Sequence, residues 1–388
     1  MELCALAGKP YPSHWSILSL RTKVDAIVVG GGPAGSAAAL ALSHRGYSAA
    51  VIERSEYANK RVGETLPPAI RKLLIDLGMW DEFVAGNHSP SFGIRSAWGD
   101  DDLYENNFIF NPYGSGWHVD RNRFDRTLTL AAEKSGVKVF RGLEIATLTG
   151  TTSGEWEITM ADPHRPPGLV ADFLVDATGR RSSLARKQGA KRISYDHLIG
   201  LVGFLSPKFS EAVDVDHSFT LVESQADGWW YSATLPDRRL IAAYMTDADL
   251  CAPDHARTSF WYDQLQKAPH TSSRARDYSL RSALTTFAAN SSRLDPIIGD
   301  NWLAVGDSAA AYDPLSSQGV YKALESGLRA ASAIGGHWAG QETALQDYAA
   351  AVRTDFDDYL RLRDRYYAKE RRWPDSIFWR RRNSAGIL

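Results

Sequence analysis

The sequence predicts an α/β protein in which a parallel βαβ-type sheet is combined with a separate antiparallel sheet and C-terminal helices. Three observations predict this fold. A strand, a glycine loop, a helix and a second strand follow one another between Val24 and Glu53. Two further apolar segments, 173–176 and 302–305, end in Gly-containing turns, which is typical of buried parallel strands. Short segments between 192 and 289, in which apolar and polar residues alternate, are typical of antiparallel strands.

The first strand, Val24–Val29, is β-branched and almost continuously apolar, and Gly30, Gly32 and Gly35 follow it in GxGxxG spacing. The first glycine permits the tight turn, the second lets the backbone approach a pyrophosphate, and the third lets helix and strand pack closely. An Ala-rich helix, predicted from Ser36 to about Arg45, would present its N-terminal amides to the phosphates. The alternative is an Ala-rich packing turn.

The second strand, Ala49–Ile52, ends in Glu53, which lies 18 residues after Gly35. A carboxylate at this place binds a ribose in dinucleotide-binding βαβ units, and an acid there favours FAD or NAD over NADP. We therefore predict a dinucleotide site made by Gly30, Gly32, Pro33, Ala34, Gly35, Glu53 and Arg54.

Composition excludes several classes of function. The 388 residues include 44 Lys+Arg and 46 Asp+Glu, so a net charge of -2 gives no electrostatic reason to bind nucleic acid or a membrane surface. Two cysteines, Cys4 and Cys251, are too few for a disulfide framework or a metal cluster, so we predict no metal. Residues 1–24 do not resemble a signal peptide, and Gly30–Pro33 interrupts the uncharged segment 26–42, so we expect a cytoplasmic location without a membrane.

Four further motifs follow in a fixed order: R-x-x-F-D at 121–125, D-A-T-G-R at 176–180, Gly306-Asp307, and D-P-x(4)-G at 313–319. With the glycine loop and Glu53, this ordered set resembles the FAD-dependent monooxygenases of the para-hydroxybenzoate hydroxylase fold. The resemblance implies a Rossmann-like, three-layer ββα FAD-binding domain interleaved with an antiparallel-sheet substrate domain. It implies an FAD-binding domain at 24–78, 118–191 and 290–345, a substrate domain at 79–117 and 192–289, and a C-terminal helical segment at 346–388.

The resemblance also implies roles for single residues. Asp307 would accept hydrogen bonds from the ribityl hydroxyls of FAD, because an ionised carboxylate is an acceptor. Arg121 would lie near the polar edge of the flavin or near the pyrophosphate. The helix after Gly319 would direct its N-terminal amides at the flavin, where the reduced ring carries negative charge. The residues assigned to this loop are Ser317, Gln318, Gly319 and Val320.

The segment Gly63–Pro67 looks like the GE-x-x-P segment of flavin-dependent halogenases. Lys72 lies nine residues after Gly63, the offset at which tryptophan halogenases place the lysine that handles hypohalous acid. Lys72 is therefore a candidate catalytic residue, although a solvated lysine is the commoner outcome on such a helix. Two departures weaken the halogenase interpretation: the sequence at 229–236 is not W-x-W-x-I-P, and Ser316 stands where those enzymes have a Glu.

Segments at 228–239, 313–324 and 371–379 look like maturation flavoproteins that serve quinone-cofactor amine and amino-acid oxidases. This resemblance implies a monooxygenase that hydroxylates an aromatic or indole ring through a C4a-hydroperoxyflavin. The ring would belong to an aromatic small molecule or to a Trp-containing protein. The alternatives are a flavin-dependent halogenase, a reductase of the geranylgeranyl reductase type and a nonenzymatic FAD-binding partner. The electron donor is NAD(P)H directly or a flavin reductase.

Two more residues are candidates for catalysis. Tyr231 lies on the predicted strand 228–235, one of four antiparallel segments that would roof the flavin, the others being 198–204, 218–223 and 239–245. His118 lies three residues before Arg121 and is a candidate general base, with a structural hydrogen-bonding role as the alternative.

Tryptophan is abundant, with 12 residues. Seven of them fall where the substrate sheet, a predicted lid over 104–117 and the tail occur, which indicates an aromatic-walled cavity or docking face: Trp98, Trp117, Trp229, Trp230, Trp261, Trp373 and Trp379. The tail 361–382 has nine Lys/Arg and three Asp/Glu. We interpret it as a packing helix or a docking surface for an acidic partner.

Overall fold

The computed structural model describes residues 22–152, 154–161, 168–209 and 218–383. The strands of the described residues include one at every segment predicted as a strand from the sequence. They are β1 (Thr22–Val29), β2 (Ala49–Glu53), β3 (Thr65–Leu66), β4 (Ser89–Ser91), β5 (Gly93–Ala97), β6 (Tyr104–Asn107), β7 (Gly116–His118), β8 (Lys138–Arg141), β9 (Ile145–Gly150), β10 (Trp156–Met160), β11 (Leu169–Asp176), β12 (Lys191–Ser194), β13 (Leu198–Pro207), β14 (Phe219–Gln225), β15 (Gly228–Thr234), β16 (Leu240–Asp247), β17 (Tyr278–Leu280), β18 (Thr285–Ala288), β19 (Ser292–Asp295), β20 (Ile298–Gly299), β21 (Trp302–Ala304) and β22 (Ala310–Ala311).

The α-helices surround these sheets. They are α1 (Pro33–Ser43), α2 (Ile70–Asp76), α3 (Trp80–Val84), α4 (Arg121–Lys134), α5 (Ser183–Lys187), α6 (Arg257–Gln266), α7 (Pro269–Ala275), α8 (Gly319–Trp338), α9 (Ala344–Tyr367) and α10 (Ile377–Asn383). In the part of the chain that the structure describes, none of them is both long and apolar enough to cross a membrane.

The parallel sheet has the order β20-β21-β11-β1-β2-β8; its strands from β21 to β8 pair in parallel, whereas β20 is antiparallel to β21, and β10 is antiparallel to both β11 and β9. Strand β1 is central and pairs in parallel with β11 and β2, so that Val28 lies beside Val175 and Val51. Helices α1 and α8 cross above it at Gly327, where a Cβ atom would collide with the backbone of Ala34. The carboxyl ends of β1, β2, β11 and β21 therefore meet at one edge, where ligands of such sheets bind.

The mainly antiparallel sheet has the order β17-β13-β16-β15-β14-β5-β6, in which β14 and β5 pair in parallel, and β18 pairs with β13. Because side chains alternate along a strand, the sheet has two different faces. Trp230 and Tyr244 lie on the face that α6 covers with Trp261. Trp229 and Met245 lie on the other face, against the C-terminal segment. We propose that these two sheets are the cores of the two interleaved domains with the boundaries given above.

The C-terminal segment packs on the antiparallel sheet. Phe378 and Trp379 are buried in the same cluster as Trp229. Arginines of the tail form internal ion pairs: Arg363 with Asp196 at 2.8 Å, Arg372 with Glu370 at 2.7 Å, Arg381 with Asp249 at 2.7 Å and Arg382 with Asp247 at 2.7 Å. The structure therefore favours the packing interpretation of this tail over a docking surface for an acidic partner.

Candidate active site

A cavity of about 280 Å³ lies between the carboxyl edge of the parallel sheet and the antiparallel sheet. Loops that follow strands of the parallel sheet form one side of the cavity, and strands of the antiparallel sheet form the other side. The lining residues include Gly32, Pro33, Ala34, Val62, Gly63, Glu64, Thr65, Arg121, Arg180, Val202, Tyr231, Ile241, Ala243, Met245, Phe287, Asp307, Asp313, Ser317, Gly319 and Val320.

The glycine loop has the geometry that a pyrophosphate requires. Gly30 has φ +110°, and a Cβ atom there would collide with the carbonyl oxygen of Ala177. A Cβ atom on Gly35 would collide with the carbonyl oxygen of Gly30, which explains the third glycine. Gly32, by contrast, lines the cavity, and its Cβ would meet no protein atom within 4 Å. The space beside Gly32, at the N-terminus of α1, fits a phosphate group.

Glu53 ends β2 as predicted and is buried. Its Oε2 accepts a 2.7 Å hydrogen bond from the Gly31 N–H, and its Oε1 accepts one of 2.6 Å from the Ser55 hydroxyl. The carboxylate thus fixes the glycine loop, and its contact with a ribose stays a prediction. Arg54, the next residue, is exposed and is not part of the cavity wall.

Arg121 is fixed against the cavity by the acid of its own motif. Its Nε donates a 3.1 Å hydrogen bond to Oδ1 of the buried Asp125, and its Nη1 donates to the Val62 carbonyl oxygen. Asp125 also accepts a 2.7 Å hydrogen bond from Arg61, which lies 3.7 Å from Glu53. Sequence reasoning missed Arg61, because no local pattern connects it with either acid.

Asp307 lines the cavity shortly after the strand β21, and its contact with the ribityl hydroxyls stays a prediction. Arg180 lies 3.4 Å from it and donates a 2.9 Å hydrogen bond to the Tyr312 carbonyl oxygen. Sequence reasoning assigned Arg180 no role, although the D-A-T-G-R motif contains it. Asp176 of that motif is structural, because its oxygens accept hydrogen bonds from the N–H groups of Thr178 and Ala185.

The loop before α8 brings the predicted flavin-helix residues to the cavity. Ser317 adopts a left-handed conformation with φ 50°, and α8 begins at Gly319. Ser317, Gly319 and Val320 line the cavity. Gln318 is exposed and does not line it. Helix α8 therefore begins at the cavity wall, and the stabilisation of negative charge by its first amides stays a prediction.

Asp313 of the same loop is buried and was not predicted as a site residue. Its Oδ1 accepts a hydrogen bond from the Leu315 N–H at 2.9 Å, and its Oδ2 accepts one from the Tyr367 hydroxyl at 2.7 Å. Burial raises the pKa of Asp313 to about 6, with a further rise from the charge of Asp196.

Tyr231 lines the cavity, as predicted for its strand, and its hydroxyl lies 2.6 Å from Thr65 Oγ1. Thr65 Oγ1 is 3.1 Å from Thr220 Oγ1, which is 3.1 Å from His118 Nε2. His118 is fully buried behind these hydroxyls and does not line the cavity. Burial and the charge of Arg274 lower its pKa to about 3, so the imidazole is neutral. This position favours the structural alternative for His118, and its role as a general base stays a prediction.

The structure places Lys72 outside the lining of the cavity, and its candidate catalytic role stays a prediction. Its side chain is 62% exposed on α2, and its ammonium group donates a 2.9 Å hydrogen bond to Asp76. The same pair raises the pKa of Lys72. Lys72 is not among the residues that line the cavity.

The tryptophans do not form the walls of the cavity. Trp98 contacts Trp229 and Trp379 edge to face beneath the C-terminal segment. Trp230 contacts Trp261 on the opposite face of the sheet. None of the seven tryptophans lines the cavity, and the wall on the sheet side is mainly aliphatic. All of the seven except Trp117 instead belong to the clusters on the two faces of the antiparallel sheet.

The aromatic residues of the segment 104–117 do not form one cluster either. Trp117 packs against Trp80 and Phe83, whereas Phe110 is 94% exposed. A lid function for this segment stays a prediction.

The residues present fit FAD. Gly32 leaves open space for the pyrophosphate, Asp307 supplies an acceptor, and Gly319 begins a helix at the cavity wall. FAD would be held by these groups together with Arg121 and Glu53.

Comparison with known proteins agrees with this site. A protein family described as "FAD binding domain" matches residues 23–355. A putative FAD-dependent oxidoreductase, LodB, of Marinomonas mediterranea is 29% identical over 94% of this chain and 98% of its own length. Tryptophan 2-halogenase of Chondromyces crocatus is 26% identical over 93% of this chain and 71% of its own length.

Solved structures of two enzymes superpose on this chain and have the same fold. CmlS, a flavin-dependent halogenase, superposes with a TM-score of 0.82 at 24% identity, over 93% of this chain and 67% of that chain. QhpG, a peptidyl tryptophan dihydroxylase essential for tryptophylquinone cofactor biogenesis, superposes with a TM-score of 0.76 at 25% identity, over 93% of this chain and 79% of that chain. Since the family match covers most of the chain, this protein belongs to the FAD binding domain family and is a halogenase-like FAD-dependent oxidoreductase.

Proposed function

We propose that this protein is an FAD-dependent monooxygenase that hydroxylates an aromatic or indole ring, and that the ring is a Trp side chain of a partner protein. The observation that carries the choice of hydroxylation is the position of Lys72. A halogenase-type reaction needs its lysine where the halogenating species meets the substrate. Here the ammonium group is paired with Asp76 on an exposed helix face, outside the cavity lining.

The cavity supplies what hydroxylation requires. FAD, when bound and reduced, activates dioxygen. Val202, Ile241 and Phe287 give the opposite wall an apolar surface that excludes water and receives a ring. Arg121 and the first amides of α8 stabilise negative charge at the other wall. Positioning of the ring against the cofactor is thus the main task of the protein residues.

Two observations support a protein-borne ring. The structural relative QhpG is described as acting on peptidyl tryptophan. Between β6 and β7, Ile109 is 76% exposed and Phe110 is 94% exposed, and exposed apolar side chains of this kind suit a macromolecular contact. Their segment leads into β7, which pairs with β3, where Thr65 lines the cavity.

The test supplies the FAD-loaded protein with dioxygen and with reduced FAD from a flavin reductase and NADH, in the presence and absence of bromide. Free tryptophan, N-acetyltryptophanamide and Trp-containing polypeptides serve as substrates, and the products are measured by mass spectrometry. We expect a gain of one or two oxygen atoms, greatest for the polypeptides and independent of bromide. Products that form from free tryptophan alone would argue against a protein substrate.

The second candidate function is halogenation, which the names of several relatives favour. A brominated product in the same assay would establish it in place of hydroxylation. A parallel reaction with NADH or NADPH and no reductase distinguishes direct reduction by a nicotinamide from delivery of reduced flavin.

A further inference from the structure

Strand β6 is the outermost strand of the mainly antiparallel sheet. In the part of the chain that the structure describes, it pairs with β5 alone. All four residues of β6 are exposed, so side chains on both of its faces reach solvent. The edge of a sheet that has no partner strand is a template for pairing with another chain.

The hydrogen bonds beside β6 show which backbone groups point outward. Gly93 of β5 lies opposite Asn107 of β6. The N–H of the next residue, Phe108, donates a 2.7 Å hydrogen bond to the Phe92 carbonyl oxygen, toward β5. Because this direction alternates along an antiparallel strand, the N–H and C=O groups of Asn107 and Glu105 point away from β5. The outer edge of β6 therefore offers donors and acceptors for another strand.

The chain at this edge is acidic. Two of its carboxylates have ion pairs in the described residues, Asp101 with Arg372 and Glu105 with Arg95. The carboxylates of the edge lie within one short segment: Asp100, Asp101, Asp102 and Glu105. This excess of carboxylates over paired arginines favours a partner with basic side chains.

Apolar side chains are exposed next to these acids. Leu103 and Tyr104 are exposed at the start of β6, and Ile109 and Phe110 are exposed just after its end. A surface of this mixed kind marks a site of contact with another protein. Because side chains alternate along a strand, the matching partner segment is extended and alternates basic with apolar residues.

The end of β6 lies close to the cavity wall. Phe108 packs on β7, because a Cβ atom on Gly116 would be 3.2 Å from its ring. Strand β7 pairs with β3, where Thr65 lines the cavity. A protein held at β6 is therefore separated from the cavity by the small sheet of β7 and β3.

A second copy of this chain is the other occupant to consider for the edge of β6. Pairing of two β6 strands would bring the carboxylates of both copies together, and like charges across a strand pair are destabilising. A basic segment of a different protein meets no such repulsion.

We propose that β6 is the docking strand for the Trp-containing partner protein: an extended basic and apolar segment of the partner adds to the outer edge of β6 and holds the partner beside the cavity. This inference rests on the proposed function, because it takes the docked protein to be the one that carries the ring. It adds a recognition site outside the cavity.

The test measures binding of fluorescently labelled synthetic peptides to the oxidised, FAD-loaded protein by fluorescence polarisation, without reductant. In the first peptide, Lys alternates with Val or Thr around one Trp. The second has Glu in place of Lys, and the third carries N-methyl groups on successive residues of the first, so that neither of its edges can donate. We expect the first peptide to bind at least about tenfold more tightly than the other two. No saturable binding of the first peptide, or equal binding of the first and third, would overturn the proposal.

The variant Asn107→Pro removes one outward N–H, and proline is tolerated on an edge strand when its nitrogen faces outward. Asn107→Ala is the matched control, because it removes the same side chain and keeps the N–H. We expect the first peptide to bind the proline variant at least about tenfold more weakly and the alanine variant within about twofold of the unmodified protein. Circular dichroism and flavin absorbance verify that both variants are folded and retain FAD. Equal binding by the two variants contradicts strand addition.

Asp102→Lys is a second variant, at an exposed position before the strand, that does not depend on how β6 tolerates proline. We expect it to reduce the preference for the Lys peptide over the Glu peptide. An unchanged preference contradicts the role of the acidic edge. Sedimentation equilibrium of the protein alone tests the other occupant, and a dimer that Asn107→Pro dissociates would identify a second copy and overturn the proposal.

Oxygenation is measured separately from binding. We expect Asn107→Pro to raise KM for a Trp-containing polypeptide and to leave turnover of N-acetyltryptophanamide unchanged. A hydroxylated polypeptide with the same KM in Asn107→Pro and Asn107→Ala overturns this inference alone. Absence of product from every substrate, together with peptide binding that Asn107→Pro abolishes, overturns the proposed function instead.

Discussion

The hydroxyl of Tyr367 donates a 2.7 Å hydrogen bond to Oδ2 of Asp313 and so connects helix α9 to the loop that precedes α8. The same hydroxyl accepts a 3.0 Å hydrogen bond from Nε1 of Trp229 in the antiparallel sheet. One phenol thus joins the C-terminal segment, the antiparallel sheet and the loop at the cavity. The C-terminal segment is therefore part of the support of the site.

Tyr367→Phe tests this connection. The change leaves the buried Asp313 without one of its donors, and we expect the free energy of unfolding to fall by about 1–3 kcal/mol. We also expect weaker retention of FAD, because Ser317 and Gly319 follow Asp313 in the same loop. Thermal unfolding and flavin absorbance measure the two effects. Tyr366→Phe, on the exposed side of α9, is the control, and equal behaviour of the two variants would count against the connection.

The raised pKa of Asp313 predicts that the free energy of unfolding depends on pH. Its pKa of about 6 in the folded protein is above its ordinary value of 3.8, so the folded state holds the proton more tightly than the unfolded state. The stabilisation of the folded protein by this protonated carboxyl is fully present below about pH 4 and is lost as the pH rises through 6. We expect the stability of the unmodified protein relative to Asp313→Asn to decrease by up to about 3 kcal/mol over this range. Chemical denaturation measures the free energy of unfolding of both proteins at each pH. If the two values change with pH in the same way, the raised pKa of Asp313 is contradicted.

The glycine loop predicts two different effects of the same substitution. Gly30→Ala places a Cβ against the Ala177 carbonyl oxygen at φ +110°, so we expect impaired folding. Gly32→Ala meets no protein atom and has an ordinary φ of -73°, so we expect a folded protein with FAD affinity reduced at least about tenfold. Circular dichroism and titration with FAD separate the two effects. Unchanged FAD affinity in Gly32→Ala would mean that the pyrophosphate does not lie beside Gly32.

The position of Lys72 predicts that its replacement leaves the rate of hydroxylation almost unchanged. Because Lys72 pairs with Asp76 at the surface, we expect Lys72→Met to fold normally and to hydroxylate at a rate within about twofold of the unmodified protein. The rate of product formation measures this. A loss of activity with retained FAD would return Lys72 to the catalytic residues and favour the halogenase alternative.

Sequence patterns predict the parts of the site that are local in the chain. The strand β1, the three glycines and Glu53 follow from one continuous segment, because their spacing is set by the geometry of a single βαβ unit. The ion pair of Lys72 with Asp76 also has a local signal, the i,i+4 spacing on a helix.

The other parts depend on tertiary packing. The contact of Thr65 with Tyr231 joins residues 166 positions apart, and no periodicity encodes it. Alternation indicates that Trp229 and Trp230 face opposite sides of the sheet, but it does not indicate that Trp229 lies outside the cavity when Tyr231 and Met245 on the same face line it. That outcome depends on where α6 and the C-terminal segment pack.

The most direct test of hydroxylation is the source of the atom added to the ring. The FAD-loaded protein turns over with reduced FAD, isotopically labelled dioxygen, bromide and a Trp-containing polypeptide, and mass spectrometry identifies the product. We predict a hydroxylated Trp that carries the label from dioxygen and no bromine. A brominated Trp, or a hydroxyl oxygen derived from water, would contradict the account.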